Sequence, residues 1–207
     1  MSRKEGLGKE VRYWAVWLVV VGGLYLTGRH VPLSGYLQQG LLAVGLWRAQ
    51  PPSTPAPTPP VRIDGTLRRH EADTSFAEPL EHAPGQTLFV NVWASWCPPC
   101  LAEMPGILGL RASLAHRDDV RFLIVSVDEA PARAARLWDR RGWPYPYHRA
   151  EALPAALRVS TLPTTFVIGP DGGIHYQHAG PADYDTDAFR EFLTRTASKA
   201  PAAVAVP

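Results

Sequence analysis

Leu88-Phe89-Val90-Asn91-Val92-Trp93-Ala94-Ser95-Trp96-Cys97-Pro98-Pro99-Cys100-Leu101-Ala102-Glu103-Met104-Pro105 is the stretch that organises this chain. Its first six residues are short, apolar and rich in aromatic and β-branched side chains, the pattern of a buried strand. After Cys100 come good helix formers. Between the two lie the only cysteines of the 207 residues. Pro98 and Pro99 would break a helix interior but suit its first turn, where no N–H needs an intrahelical partner. Cys97 therefore falls near an N-cap and Cys100 one turn later on the same face. The unpaired N–H groups and the positive end of the helix dipole favour a thiolate there. Cys97, at the open end, is expected to attack; Cys100, buried one turn in, is expected to resolve the mixed disulfide.

Other readings of the pair are weaker. A structural disulfide between residues three apart removes little chain entropy. A zinc site needs four ligands and there is no second CxxC. His175 and His178 do not complete one, because that spacing in a strand points the rings to opposite faces. Redox chemistry is the reading that uses both the thiols and the prolines. No bound cofactor and no metal is called for.

Trp96-Cys97-Pro98-Pro99-Cys100 after Asn91-Val92-Trp93-Ala94-Ser95, with Glu103-Met104-Pro105 behind it, resembles the thioredoxin-like proteins of the TlpA/ResA/CcmG (DsbE) group. Two further places carry the resemblance. Ser160-Thr161-Leu162-Pro163-Thr164-Thr165-Phe166 matches the strand start whose proline is cis and faces the cysteine pair in that group. Asp171-Gly172-Gly173-Ile174 and His178-Ala179-Gly180 resemble its closing hairpin. The resemblance implies an α/β fold: a thioredoxin-like three-layer sandwich with a central mixed sheet. It implies Cys97 and Cys100 as catalytic residues, Trp96, Leu162 and Pro163 as substrate-binding residues, and Glu103 as a modulator of thiol protonation. It implies reduction of disulfides in partner proteins such as apocytochrome c or copper-site proteins, with a transmembrane thiol donor returning the electrons. The chain departs from its relatives in carrying prolines between the cysteines where ResA-type proteins have a glutamate, and Thr164 where CcmG-type proteins have one. Asn91 takes the place of the buried acid of thioredoxin. An oxidase or isomerase donating disulfides, and a metallochaperone or haem-handling module, remain as alternative readings, since CPPC does not set the direction of electron flow.

The N-terminal part has a different character. Residues 1–60 hold six Lys/Arg against two Glu, whereas the remaining residues hold fifteen basic and seventeen acidic side chains. The folded part is not basic, and nothing marks a nucleic-acid surface. Tyr13 to Thr27 is uncharged and bracketed by Arg12 and Arg29. Fifteen such residues span roughly 22 Å, which snorkelling arginines and terminal Tyr/Trp side chains extend. Residues 1–30 are thus expected to form an N-terminal transmembrane helix, single-pass in the inner membrane, with the basic end in the cytoplasm and the thiols facing the periplasm. Residues 31–48 read as an interfacial helix. Residues 49–60 read as a proline-rich linker, extended and stiff, that spaces the domain from the bilayer. The thioredoxin-like domain is expected over 61–199, with a frayed tail at 200–207.

Within the domain, strands are expected at Val61–Ile63, Leu88–Ala94, Val120–Asp128, Tyr145–His148, Thr164–Ile168 and Ile174–His178. Helices are expected from Cys97 to Leu114, from Ala130 to Arg141 with Gly142 as its stop, over Leu153–Val159, and from Asp183 or Thr186 through Phe189, Phe192 and Leu193. Leu67 to Gln86 is too polar to assign. None of His70, His82, His116, His148, His175 and His178 shows a ligand or triad pattern, and none is assigned a catalytic role.

Overall fold

The computed structural model describes residues 3–26, 40–41, 48–52, 58–61, 63, 66–71, 74–79, 82–83, 85–150 and 152–198. Most of the expected interfacial helix, the middle of the proline-rich stretch and the tail lie outside these residues.

Seven strands form one sheet: β1 (Thr66–Glu71), β2 (Thr74–Pro79), β3 (Thr87–Trp93), β4 (Val120–Ser126), β5 (Tyr147–Ala150), β6 (Thr164–Ile168) and β7 (Ile174–Ala179), in the order β2-β1-β5-β4-β3-β6-β7. The pairs β3–β4 and β4–β5 are parallel; the β1–β2, β1–β5, β3–β6 and β6–β7 pairs are antiparallel. The sheet is therefore mixed. The apolar runs at β3 and β4 became its central parallel strands, covered on both faces. The polar stretch left unassigned in the sequence forms the β1–β2 hairpin at the sheet edge, where alternation is not enforced by burial on both sides.

Four helices carry the labels α1 (Arg3–Leu26), α2 (Pro98–Ser113), α3 (Pro131–Arg141) and α4 (Asp187–Ala197). α2 starts on Pro98 and Pro99 with Cys97 as N-cap. α3 starts on Pro131 and ends at Gly142, whose φ of 61° is the left-handed turn that the sequence reserved for glycine. α4 is capped by Thr186, whose side chain accepts the N–H of Phe189. The expected helix at Leu153–Val159 is only a 3₁₀ turn, Ala155–Leu157. Val61 and Ile63 are not in a strand. Val61 instead donates to the carbonyl of Gly172, and Ile63 is buried in the core.

The two faces of the sheet are covered differently. Phe89, Trp93, Phe122 and Ile124 point to one face and pack with Met104 and Ile107 of α2, Trp138 of α3, and Phe189 and Phe192 of α4. Leu88, Val90, Val92, Leu123 and Val125 point to the other and pack with Ile63, Leu157, Phe166 and Ile168. Steps from β3 to β4 to β5 run one way across the sheet, and right-handed crossovers then put α2 and α3 on the same side. The sequence reading expected helices in both outer layers. Among the described residues the second outer layer is instead built from extended segments and the 3₁₀ turn.

α1 is a single helix through the expected anchor. Its apolar run follows Lys9, Glu10 and Arg12. Among the described residues no helix is long and apolar enough to cross a membrane. The described ends of the proline-rich stretch do not stand clear of the domain. Ala49 donates to the carbonyl of Asp183 at 2.9 Å, and the hydroxyl of Thr58 accepts the N–H of Ile174 at 2.9 Å.

Candidate functional site

The site sits at the C-terminal ends of β3 and β4. Cys97 has extended backbone (φ −97°, ψ 102°), and its sulfur accepts the N–H of Cys100 at 3.3 Å. That is the N-cap contact expected of a strand-to-helix cysteine. The two cysteines are joined in a disulfide, with Cα atoms 5.3 Å apart. Cys100 is fully buried; Cys97 retains 4% of its surface, less than an open helix end led us to expect. The neighbouring Trp96 is 55% exposed.

A groove of about 530 Å³ runs beside the disulfide, lined by Trp96, Cys97, Pro98 and Pro99 on one side and by Val127, Leu153, Val159 and Ser160–Leu162 on the other. The peptide bond Leu162–Pro163 is cis, as the resemblance implied. Pro163 is buried and its carbonyl is taken by the N–H of Gly180 at 2.8 Å, while that of Thr161 accepts the Thr164 hydroxyl at 2.7 Å. The structure thus brings Trp96, Cys97 and Leu162 to one groove and puts Pro163 just behind it.

Behind the disulfide lies Glu103, one turn along α2 from Cys100 and only 1% exposed. Its Oε1 accepts from Asn91 Nδ2 at 2.7 Å and its Oε2 from the N–H of Ala182 at 3.2 Å. Asn91 Nδ2 is shared with Thr165 Oγ1 at 3.0 Å. Burial pushes the carboxyl from its ordinary 4.5 up to about 8, against the opposing pull of the Asn91 and Ala182 hydrogen bonds. Two tyrosines share this pocket. Tyr176 is raised to about 12 and Tyr184 well above 10, in each case chiefly by burial and also by the nearby Glu103. Asn91 Oδ1 and the Tyr184 hydroxyl are buried without a partner of normal geometry. So the asparagine in place of a buried acid is compensated: the acid comes from α2 and the asparagine donates to it.

A second buried carboxylate escaped the sequence reading. Asp128, just beyond β4, accepts from the N–H of Ser95 at 2.9 Å, from Ser95 Oγ at 2.7 Å and from Ser126 Oγ at 2.8 Å. It ties the Ala94–Trp96 loop, which delivers Cys97, to the neighbouring strand. Its signal was present as polar residues at the C-terminal ends of adjacent parallel strands, where α/β sites form. Of the histidines, His148 and His175 are buried, and His175 Nε2 lies 2.8 Å from Asp171 Oδ1 at the far hairpin. Among the described residues no three His, Cys, Asp or Glu side chains form a metal-ligand group.

The family model described as Redoxin matches residues 66–192, more than half of the chain. The chain belongs to the redoxin family. The redoxin is 37% identical over 103 residues to a thiol:disulfide interchange protein DsbE homolog of Paracoccus denitrificans, covering 47% of this chain and 52% of that one. It is 30% identical over 106 residues to the thiol-disulfide oxidoreductase ResA of Oceanobacillus iheyensis, covering 50% and 54%. It thus spans about half the length of the curated relatives it matches. Among solved structures, a thioredoxin-family thiol:disulfide interchange protein of Chlorobium tepidum superposes with a TM-score of 0.51 at 23% identity, covering 72% of the redoxin and 99% of that chain. These relatives are the group that the CPPC stretch resembled, and the structural likeness extends to the fold of the redoxin.

Proposed function

We propose that this redoxin is a membrane-anchored thiol–disulfide oxidoreductase whose Cys97/Cys100 dithiol reduces disulfides of exported partner proteins, of the cytochrome c maturation or copper-site assembly kind. The observation that carries the reading is the Cys97 sulfur at the N-cap of α2, accepting the Cys100 N–H and opening on the groove. In the reduced protein the same N–H and the helix dipole favour a Cys97 thiolate. That thiolate attacks a substrate disulfide, forms a mixed disulfide and expels one substrate thiolate. Cys100 then attacks the Cys97 sulfur, releases the second substrate thiolate and closes the Cys97–Cys100 disulfide. Two electrons pass to the substrate, and a thiol donor in the membrane returns them. The substrate backbone lies extended across Leu162 and Pro163, with Trp96 against its side chains. Glu103 receives or supplies a proton as the thiols change state.

α1 supports the anchor. Trp14, Trp17, Leu18 and Val19 are all at least half exposed on it, a surface that water does not favour. The basic residues of its first turns, ahead of the apolar run, support a cytoplasmic N-terminus and a periplasmic domain. A reporter fused after Pro60 should be active only when exported; activity confined to the cytoplasm would defeat the location and with it the substrate class.

The chemistry is tested by limiting alkylation of the reduced protein at neutral pH. Cys97 should react first, Cys97→Ser should abolish mixed-disulfide formation, and Cys100→Ser should trap it. Modification of Cys100 before Cys97 would overturn the assignment.

A further inference from the structure

The irregular segment from Gly180 to Thr186 closes the pocket around Glu103, with Ala182 and Tyr184 buried in the core and Tyr184 packed on Phe89 and Phe189. At its start the N–H of Gly180 reaches the Pro163 carbonyl at 2.8 Å, and the N–H of Ala182 reaches Glu103 Oε2 at 3.2 Å. The next hold comes from far away in sequence. Arg48 and Asp183 form an isolated parallel bridge, in which Ala49 donates to the Asp183 carbonyl at 2.9 Å. Ala49 is 4% exposed and belongs to the same apolar cluster as Cys97 and Cys100. On its other side the segment lies directly on α2, with the side chains of Asp183 and Asp185 over Gly106 and Gly109. A Cβ on Gly106 would sit 3.2 Å from Asp183 Oδ1, and one on Gly109 would overlap the Asp185 carboxylate. Segment 180–186 is thus clamped between α2 and residues 48–50.

We propose that Arg48–Gln50, the stretch that follows the N-terminal apolar region, is a positioning element of the redox site: by holding Asp183 it keeps the Ala182 N–H on Glu103. This rests on the reading that Glu103 exchanges protons with the dithiol. The clip joins the end of the N-terminal region to the carboxyl behind the disulfide, so a rearrangement at residue 48 reaches Glu103 through Asp183 and Ala182. The groups that face Glu103 are Asn91 from β3, whose amide is shared with Thr165 of β6, Tyr176 from β7 and Tyr184 from the segment itself; Cys100 lies one turn back along α2, and Asp183 and Asp185 face the next turns of α2. None of these is a cation that could replace the Ala182 donor. Losing that donor favours the protonated carboxyl.

The test uses the full chain with Ala49→Pro, which deletes the donating N–H, and Ala49→Gly, which keeps it. The carboxyl stretching band that disappears in Glu103→Gln reports the protonation midpoint of Glu103 in the oxidised protein. Ala49→Pro should raise that midpoint by about half a pH unit, roughly a threefold change in proton affinity, and Ala49→Gly should leave it in place. Should Ala49→Pro fold poorly, Ala49→Lys puts a charge at the same buried site, expels the strap and should move the midpoint the same way. The pH profile of Cys97 alkylation should shift in the Ala49→Pro protein but not when Glu103→Gln is also present. A midpoint that stays or falls, or an alkylation shift that persists in the double variant, overturns the proposal. If Glu103→Gln alone leaves the alkylation profile unchanged, the role of Glu103 toward the thiols fails, while the band still decides whether the strap positions the carboxyl.

Discussion

Two buried carboxyl groups flank the loop that carries Cys97, and they are solvated in opposite ways. Asp128 accepts three hydrogen bonds from Ser95 and Ser126. Glu103 accepts two, from Asn91 and Ala182, and has Tyr176 and Tyr184 beside it. At Glu103 burial outweighs the two hydrogen bonds and drives the proton on; at Asp128 the hydrogen bonds join loop to strand. Asp128 is therefore built as a clamp and Glu103 as a proton holder. Position in the sequence does not distinguish them, since each lies a few residues from the end of a central strand or the start of α2.

The largest effect that separates the two is a dependence of stability on pH. Glu103 ionises near 4.5 in an unfolded chain and near 8 in the folded one. Between those values the unfolded state holds fewer protons, so folding stability falls as pH rises. The contribution linked to protonated Glu103 is fully present below about pH 4.5 and lost by about pH 8, a change on the order of a few kcal/mol. Glu103→Gln should flatten this slope in urea denaturation at successive pH values. The glutamine is accommodated because Asn91 Oδ1 has no partner now and becomes an acceptor when its amide turns. A slope that survives the substitution would show that the proton resides elsewhere.

Asp128→Ala comes next and should act differently. It strands the Ser126 hydroxyl, which is 1% exposed, and the two donors of Ser95. The expected loss is about 2–3 kcal/mol, read as a lower urea midpoint, and it should be the same across the window in which Glu103 titrates. A loss that grows or shrinks with pH would mean that the two carboxyls are coupled.

This contrast marks the limit of what the sequence disclosed. Cys97, Cys100 and the helix start were legible because proline and cysteine have few other uses at a strand-to-helix junction. β3, β4 and β6 were legible because short runs dominated by apolar and β-branched residues read as buried strands. The cis bond before Pro163 came only from resemblance. The β1–β2 hairpin was not legible, since an edge strand need not alternate, and the faces of the sheet were misjudged because crossover direction is not written in periodicity. Asp128 was taken for a strand end. Its partners are 2 and 33 residues away, and no local pattern announces a hydroxyl from another loop. Ala182 was beyond reach altogether, because a backbone N–H donor leaves no trace in residue type.

A smaller effect sharpens the clamp. Ser95→Ala removes one hydroxyl donor and leaves the backbone N–H of residue 95 on Asp128 Oδ2. The loss should be about 1 kcal/mol, less than for Asp128→Ala, because half of the tie between loop and strand persists. Equal losses for the two substitutions would locate the whole clamp in the serine hydroxyl.

The smallest effect on stability, and the most informative for the groove, belongs to the residue between clamp and cysteine. Trp96 sits on the loop that Asp128 holds, yet its ring is 55% exposed and lines the groove beside the disulfide. An exposed side chain contributes little to the fold, so Trp96→Ala should change stability by no more than about 0.5 kcal/mol. Its apolar surface is available to a substrate peptide instead. Losing that contact removes binding that is equal in ground and transition states, so KM should rise roughly threefold to tenfold while kcat stays nearly constant. Steady-state reduction of a disulfide-containing peptide measures both. A fall in kcat at unchanged KM would place the indole in the transition state rather than in substrate capture. A loss of stability as large as that of Asp128→Ala would make it part of the clamp.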